Sequence, residues 1–230
     1  MFIFGIIISS IILILGIYFV TLSQNQRHHL VMILALILFF YKLTEYTIFG
    51  LTMQLHKIPL EFSTMSYFIF SMTIIFKLKK LQLLAAFMAF ISGIGYLISF
   101  MILGDDYLFN NGFYLTSMAL INHAILYLGS MLIIKDLNYT KQEERRIMVF
   151  TMMYVIYVSI MNELITFPQS FIFIRILLGG DLLTTYFSSD RLSSYTYLLY
   201  FLSVFILYKA ILLIFHGICK LTHHPSEVNL

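Results

Sequence analysis

The sequence has few charged residues. Asp, Glu, Lys and Arg make up 11% of its 230 residues, while hydrophobic residues make up 60%. A soluble domain carries roughly 25% charged residues, so this shortage excludes an ordinary soluble protein and predicts an integral membrane protein. The net charge of +3 is small and scattered along the chain. It does not indicate a nucleic-acid partner, and we expect membrane lipids to surround the protein.

Cysteine and tryptophan are also scarce. Cys219 is the only cysteine, which excludes an intramolecular disulfide. Without tryptophan, the aromatic residues at the membrane surfaces must be Tyr and Phe. The Trp-free composition, rich in Phe, Ile, Tyr and Lys, is typical of an AT-rich bacterial genome, so we expect a multi-pass protein of a bacterial plasma membrane. No HxxxH, HExxH or Cys/His grouping supports a zinc site, and we expect no metal site and no cofactor.

Long apolar runs dominate what remains. A helix needs about 20 apolar residues to cross a bilayer, and the sequence predicts an all-α, polytopic membrane helix bundle with about seven spans in a single domain, 1–230. The first run has no Lys or Arg before it, so we interpret it as a retained span rather than a signal peptide. The predicted spans are 2–22, 30–51, 59–76, 81–103, 113–134, 147–167 and 192–216. We expect 169–188 to be an interfacial or re-entrant segment, and Gly93 and Gly95 to permit close helix packing.

The Lys and Arg residues of the connections predict an orientation. Nine lie in the first, third and fifth connections and the C-terminal tail, whereas three lie in the second, fourth and sixth connections. The nine are Arg27, Lys77, Lys79, Lys80, Lys135, Lys141, Arg145, Arg146 and Lys220, and the three are Lys57, Arg175 and Arg191. Because positive residues accumulate on the cytoplasmic side, we expect the N-terminus outside and the C-terminus inside.

Several ionisable residues lie inside or at the edges of the predicted spans. A charge in hydrocarbon is costly, so such residues usually pair with one another, face the bundle interior or do chemistry. Lys42 and Glu45 are three residues apart and can pair on one helix face; alternatively, Lys42 binds an anionic headgroup or a carboxylate. Lys209 is expected to extend toward the cytoplasmic interface.

Four predicted spans carry polar residues toward the outer half of the membrane. Besides Lys42 and Glu45, these are Glu61 and Ser63 in the third span, His123 in the fifth, and Asn162 and Glu163 in the sixth. His123 can satisfy itself on a neighbouring carbonyl or serine. It can also act as a general base for a hydroxyl nucleophile. Candidate hydroxyls are Ser63, Thr64, Ser66, Thr116 and Ser117.

Two short segments resemble the YwaF-like family of bacterial membrane proteins. His56-Lys57-Ile58-Pro59-Leu60-Glu61-Phe62-Ser63 is similar to its PLHLCS-like segment, and Ile121-Asn122-His123-Ala124-Ile125-Leu126 to its ISH-type segment. Asn162 also resembles an asparagine of the same family. That family is related to eukaryotic transmembrane acyltransferases that act on phospholipids with a cysteine and a histidine. The resemblance puts His123 at the histidine position and Ser63 at the cysteine position, with Glu61 in place of a motif histidine.

Two function classes follow, together with a third in which the polar groups only specify helix packing. The leading hypothesis is a lipid acyltransferase or acyl hydrolase that opens to the outer leaflet, with a phospholipid or acyl-chain substrate. Ser63 would be the nucleophile and His123 the base, and Glu61 or Asn162 would orient the base or bind substrate. Lys42 or Lys57 would bind phosphate. The alternative is a non-enzymatic bundle that binds or transports ions or a small zwitterion. Its pocket would use Lys42, Glu45, Glu61 and Glu163.

Overall fold

A computed structural model of the chain describes residues 2–53, 62–137, 139–164 and 194–222. Every regular element in these four ranges is helical, which confirms the all-α prediction. The α-helices are α1 (Phe2–Thr21), α2 (Gln24–Leu51), α3 (Phe62–Ile75), α4 (Gln82–Ile133), α5 (Lys141–Leu164) and α6 (Ser194–Thr222). Short 3-10 turns, Lys79–Leu81 and Ile134–Asp136, flank α4.

Several helical segments of the described residues are long and apolar enough to cross a membrane. They overlap the first, second, fourth, fifth and seventh predicted spans, and α3 is a shorter apolar helix of 14 residues. The segments are Phe4–Thr21, Gln24–Leu51, Lys79–Gly104, Gly112–Asp136 and Phe205–Thr222. The start of the third predicted span, the end of the sixth and the segment 169–188 lie outside the described residues. The helical membrane character therefore stands on the structure, while the count of seven spans stays a prediction.

Helix α4 is a hairpin of two helical arms that meet at a glycine. Gly112 has φ 76° and ψ 166°, a combination that is accessible essentially only to glycine. The arms, 82–111 and 113–133, lie side by side. This arrangement is shown by the hydrogen bond between the His123 ring on the second arm and Ser92 on the first. Two of the predicted spans, 81–103 and 113–134, thus correspond to the two arms of this hairpin.

A tight turn joins α3 to the start of α4. The N–H of Leu78 donates to the carbonyl of Thr73 at 2.9 Å, and the N–H of Lys77 donates to that of Ile74 at 3.3 Å. Lys77 takes a left-handed conformation, with φ 54°, and this pair of bonds is the Schellman arrangement that ends many helices. The turn returns the chain so that α3 packs along the α4 hairpin.

Glycines allow close approach of the helices, although one expected position does not take part. A Cβ on Gly93 would lie 2.6 Å from the backbone nitrogen of Tyr127 and 2.8 Å from the carbonyl oxygen of His123. The two arms of α4 can therefore meet there only because Gly93 has no side chain. The expectation for Gly95 is not met within the described residues, where a Cβ on Gly95 would meet nothing within 4 Å. Two residues along a helix face different directions, so both could not face the same neighbour.

Helix ends extend beyond the predicted spans. Helix α2 begins at Gln24 rather than at residue 30, α5 begins at Lys141 rather than at 147, and α6 continues to Thr222 beyond 216. Hydropathy marks the apolar part of a helix, whereas backbone hydrogen bonding continues into its polar ends. At the start of α2, Gln26 Oε1 accepts from both the N–H and the hydroxyl of Ser23, which stabilises the first turn.

The chain divides into two compact units. The first contains 1–143 and 215–230, and the second contains 144–214. In the first unit, α1, α2 and α3 all pack on the α4 hairpin; for example, the Tyr127 hydroxyl donates to the carbonyl of Leu13 at 3.1 Å. The single domain expected for residues 1–230 stays a prediction.

Candidate functional site

Polar side chains of α2, α3 and both arms of α4 form a connected set inside the first unit. We refer to this set as the polar cluster and define it by its members. They are Tyr41, Lys42, Glu45, Tyr67, Ser92, Asn122 and His123. Lys42, Tyr67, Ser92, Asn122 and His123 are buried, and Tyr41 and Glu45 are half-buried. Lys42 and Glu45 lie six to nine residues before the end of α2, about 9–14 Å along the helix axis.

The histidine of the cluster has a defined tautomer. His123 Nδ1 lies 2.9 Å from the carbonyl oxygen of Ser92, which can only accept, so Nδ1 carries the proton. The other nitrogen, Nε2, is then an acceptor, and the Tyr67 hydroxyl donates to it at 3.0 Å. Ser92 Oγ lies 3.4 Å from Nδ1. His123 is therefore neutral in this arrangement, with its basic lone pair directed at a phenol on α3.

Aromatic stacking fixes the plane of the imidazole. The Tyr96 ring is parallel to that of His123, with centroids 4.2 Å apart and an interplanar angle of 1°. Tyr96 also stacks on Tyr107, at 5.8 Å, and the Tyr107 hydroxyl shares a 2.6 Å hydrogen bond with Ser99. The histidine is thus held at both nitrogens and on one face, which leaves its orientation little freedom.

The ion pair of the cluster lies within one helix. Lys42 Nζ lies 2.7 Å from Glu45 Oε2, and the Tyr41 hydroxyl donates to Glu45 Oε1 at 3.4 Å. The Lys42 ammonium also lies 4.5 Å from the centroid of the Tyr67 ring and 5.1 Å from that of Tyr41, within the range of cation–π attraction. A carboxylate and two aromatic faces therefore surround one ammonium.

Further interactions connect the ion pair to the histidine. The Tyr67 ring lies under the Lys42 ammonium while its hydroxyl bonds to His123. The charge of Lys42 also acts on His123 through space, and the Asn122 side chain interacts with the hydroxyl of Tyr41. Glu45, Lys42, Tyr67 and His123 therefore form a continuous path of polar contacts from α2 to α4.

The predicted site residues have different outcomes. The pairing of Lys42 with Glu45 is confirmed. His123 binds a carbonyl and a serine of a neighbouring segment, which is one of the two roles expected for it. Ser63 is half-buried on α3 and four residues before Tyr67, so the two lie on the same helix face about one turn apart. The pairing of Ser63 with His123 stays a prediction.

Other predicted site residues cannot be assigned contacts. Glu61 and Lys57 lie outside the described residues. Asn162 and Glu163 fall in the last turn of α5, and their side chains are outside the description. Their roles as substrate-binding residues stay predictions.

The hydroxyls that bond to His123 were missed from the sequence. Tyr67 and Ser92 are not among the five hydroxyls named from the sequence. Two of those five, Thr116 and Ser66, bond to backbone carbonyls instead. A signal was present for Tyr67, because it lies four residues after Ser63 and therefore on the same face of α3. Ser92 had no such signal, since its contact with His123 depends on how the two arms of α4 are rotated.

A second ion pair of the first unit lies away from the polar cluster. Arg27 Nη2, near the start of α2, lies 2.7 Å from Asp136 Oδ1 just after α4, and Arg27 Nη1 donates to the carbonyl of Leu22 at 3.2 Å. His28 Nε2 lies 3.2 Å from the other oxygen of Asp136. We refer to Arg27, His28 and Asp136 as the Arg27 staple.

The second unit has its own ion pair. Lys209 on α6 pairs with Glu144 in the first turn of α5. Lys209 was expected to extend toward a membrane interface, and Glu144 belongs to a strongly charged segment, 141–146. The pair therefore ties the charge of α6 to the polar beginning of α5.

Within the four described ranges, no group of three or more His, Cys, Asp or Glu residues is arranged to hold a metal ion. The chain matches no protein-family model, no curated protein and no solved structure.

Proposed function

We propose that this chain is a membrane-embedded helix bundle whose polar cluster binds a small polar solute. The observation that carries the proposal is the Lys42–Glu45 pair, buried beside two tyrosine rings in a helix that is long and apolar enough to cross a membrane. Charged residues inside membrane segments commonly mark substrate or ion pathways. Because both members belong to α2, their ion pair does not join one helix to another.

The proposed topology has seven spans with the N-terminus outside and the C-terminus in the cytoplasm of a bacterial cell. The distribution of Lys and Arg supports this orientation. The contact between Arg27 and Asp136 supports the alternation of the helices, since it brings the first and fifth connections to the same end. In this topology the polar cluster lies in the outer half of the membrane and is reached from outside.

Cysteine labelling tests whether solvent reaches the cluster. The background is Cys219→Ser, which removes the only native thiol. Tyr41→Cys places a thiol at the edge of the cluster without removing either member of the ion pair. Leu43→Cys is the matched control, because Leu43 is exposed on the surface of the same helix, where lipid would suppress formation of the reactive thiolate.

Both variants are treated in intact cells with an impermeant trimethylammonium methanethiosulfonate. We expect Tyr41→Cys to react at least about ten times faster than Leu43→Cys, because only a water-filled site ionises the thiol. Equal rates would mean that the cluster is sealed from the outer solution, and the proposed binding function would then be wrong.

Acyl transfer is a second candidate function. The observation that favours it is the acceptor lone pair of His123 Nε2, which points toward α3, the helix that carries Ser63. For Ser63 Oγ to be the nucleophile, it must replace the Tyr67 hydroxyl at Nε2, since a base and its nucleophile need to lie about 2.6–3.2 Å apart. That replacement requires α3 to shift by about one turn along its axis, or roughly 5 Å.

Lipid analysis tests this candidate. If His123 and Ser63 act on phospholipids, His123→Ala and Ser63→Ala must change the acyl-chain composition of the cells in the same way. Thr64→Ala is the control, because the Thr64 hydroxyl interacts with Tyr46 on α2. Unchanged lipids in both variants, with normal protein levels, would exclude acyl transfer by this pair.

A further inference from the structure

The charges of the polar cluster balance, and this balance restricts what the cluster accepts. Lys42 contributes one positive charge and Glu45 one negative charge, while His123 is neutral in its observed tautomer. An uncompensated charge in a buried or membrane environment is costly. A monovalent ion bound here would leave such a charge, whereas a ligand with one charge of each sign would not.

The two ends of such a ligand already have complementary partners. The Lys42 ammonium lies against Glu45 and the faces of Tyr41 and Tyr67, so these three groups are suited to an ammonium. An anionic group of the ligand would take Lys42 itself as its partner. Asn122 is buried next to Tyr41, and its amide can donate further hydrogen bonds to that anion.

The site can open without breaking the fold. Lys42 and Glu45 are joined by one ion pair along α2, and both side chains have several rotatable bonds. Glu45 keeps 27% of its side chain exposed, so a ligand can approach the pair from that side. Insertion replaces one internal ion pair by two ligand ion pairs, each of which needs a separation of about 2.7–2.9 Å.

We infer that the polar cluster binds a zwitterion that carries a primary ammonium and a carboxylate or phosphate on a short spacer. This inference rests on the proposed binding function and names its substrate class. Ligand ammonium binds Glu45 and the tyrosine faces, and the ligand anion binds Lys42 and Asn122. Two sources carry this chemistry: free amino-acid-like solutes, and the ethanolamine headgroup of a phospholipid.

Thermal unfolding of the purified protein in nanodiscs tests the inference. The probes are glycine, β-alanine and γ-aminobutyrate, which differ in spacer length, each compared with acetate and methylammonium as single-charge controls. In discs of phosphatidylglycerol, at about 100 times the dissociation constant, we expect a zwitterion to raise the unfolding midpoint by several degrees. Acetate and methylammonium at equal concentration are expected to give no shift.

Lipid composition separates the two sources. If a free solute is the ligand, the shift appears in pure phosphatidylglycerol discs with at least one of the three probes. If the headgroup is the ligand, adding phosphatidylethanolamine to the discs raises the midpoint by itself, and glycero-3-phosphoethanolamine does the same in pure phosphatidylglycerol. A protein that responds to none of these zwitterions overturns the inference.

Variants of the polar cluster test whether the zwitterion raises the unfolding midpoint by binding there. Lys42→Met and Glu45→Gln are each expected to abolish the zwitterion shift. The double variant Lys42→Met/Glu45→Gln serves in case a single variant, with its unpaired charge, does not fold. His28→Gln is the control, because His28 is exposed and contacts Asp136 rather than the cluster; it must keep the full shift. A shift that survives in the double variant contradicts the inference.

The inference and the proposed function can fail separately. If Tyr41→Cys is labelled rapidly but acetate or methylammonium, and not a zwitterion, shifts the midpoint, the site binds a solute and the zwitterion inference is wrong. If Tyr41→Cys is labelled no faster than Leu43→Cys, the proposed function fails as well.

Discussion

The polar cluster and the Arg27 staple contain ion pairs of the same length that are used differently. Arg27 and Asp136 are 109 residues apart in sequence, and their contact joins the start of α2 to the end of α4. Lys42 and Glu45 are three residues apart on α2, and each pair has an N–O distance of 2.7 Å. One pair therefore holds distant parts of the chain together, while the other balances charge within one helix.

The remaining partners of the two cations differ in the same way. Arg27 uses a second guanidinium nitrogen on the carbonyl of Leu22, so partners within the fold bind two of its three guanidinium nitrogens, while its Nε is buried without a partner among the described residues. Lys42 faces tyrosine rings. These rings attract any ammonium, so the ammonium of a ligand can take the place of the Lys42 ammonium. Burial of a charge therefore does not by itself identify a structural role, whereas the sequence separation and the chemistry of its partners do.

Removing the arginine is expected to give the largest loss of stability. Arg27→Met deprives Asp136 of its main partner and leaves the Leu22 carbonyl without its side-chain donor, so we expect a loss of about 2–3 kcal/mol, between the values for exposed and buried pairs. The measurement is the free energy of unfolding in mixed micelles. His28→Gln, which removes the exposed partner of Asp136, is expected to cost less than about 0.5 kcal/mol. Equal losses in the two variants would mean that Arg27 is no more structural than a surface contact.

Disturbing the packing that holds His123 in place is expected to cause the second largest loss of stability. Gly93→Ala puts a methyl group against backbone atoms of Tyr127 and His123, which cannot move away as a flexible side chain can, so we expect a loss of about 1–3 kcal/mol. Gly95→Ala meets none of the described residues and is expected to be neutral or stabilising by up to about 1 kcal/mol. Thermal unfolding of the two variants checks the difference. A similar loss of stability in both variants would show that helix propensity, and not the close approach of the two α4 arms, determines the effect of each substitution.

Removing the hydrogen bond to the His123 imidazole is expected to cause the third largest loss of stability. Tyr67→Phe leaves His123 Nε2 buried without the hydroxyl that donates to it, and we expect a loss of about 1–2 kcal/mol. Tyr96→Phe retains the ring that stacks on His123 and is expected to change stability by less than about 0.5 kcal/mol. Chemical shifts of the labelled imidazole nitrogens check the tautomer directly. An imidazole that carries its proton on Nε2 would contradict the assignment.

The smallest expected change in stability occurs at high pH and involves Tyr139, in the connection between α4 and α5. Burial, with a smaller contribution from Cys219, raises the pKa of Tyr139 above its usual value of 10. The unfolded chain then releases this proton first, so the contribution of Tyr139 to stability is complete below pH 10 and is lost as the pH rises further. Tyr139→Phe is expected to remove this part of the alkaline loss and to change stability at pH 7 by less than about 1 kcal/mol. Identical alkaline profiles for wild type and variant would contradict the raised pKa.

The sequence predicted the parts of the fold that depend on local patterns. Apolar runs located both arms of α4, and the spacing of Lys42 and Glu45 predicted their ion pair, because three residues along a helix share a face. Helix ends were displaced by six residues at α2, α5 and α6, where polar residues continue the helix beyond its apolar part. These are errors of boundary rather than of type.

The contacts of the candidate site required information that one sequence does not contain. Which hydroxyl bonds to His123 depends on the rotation and depth of α3 and α4, and each residue turns a helix face by about 100°. The family resemblance selected Ser63, whereas the observed donor, Tyr67, lies one turn further along the same face. Ser92 and Tyr96 belong to a different arm of the hairpin, and only the approach at Gly93 brings them to the histidine.

In the proposed function, the Lys42–Glu45 pair serves a ligand, whereas the Arg27–Asp136 pair serves the fold. The most direct measurement is the free energy of unfolding, without ligand, of two neutralised double variants, Lys42→Met/Glu45→Gln and Arg27→Met/Asp136→Asn. Replacing a buried ion pair by neutral groups of similar size is often neutral or stabilising, so we expect the first variant to stay within about 1 kcal/mol of wild type. The second is expected to lose about 2 kcal/mol, because the Leu22 carbonyl also loses the hydrogen bond from Arg27 and the link between two connections is gone. The reverse order, with the larger loss at Lys42 and Glu45, would contradict the account.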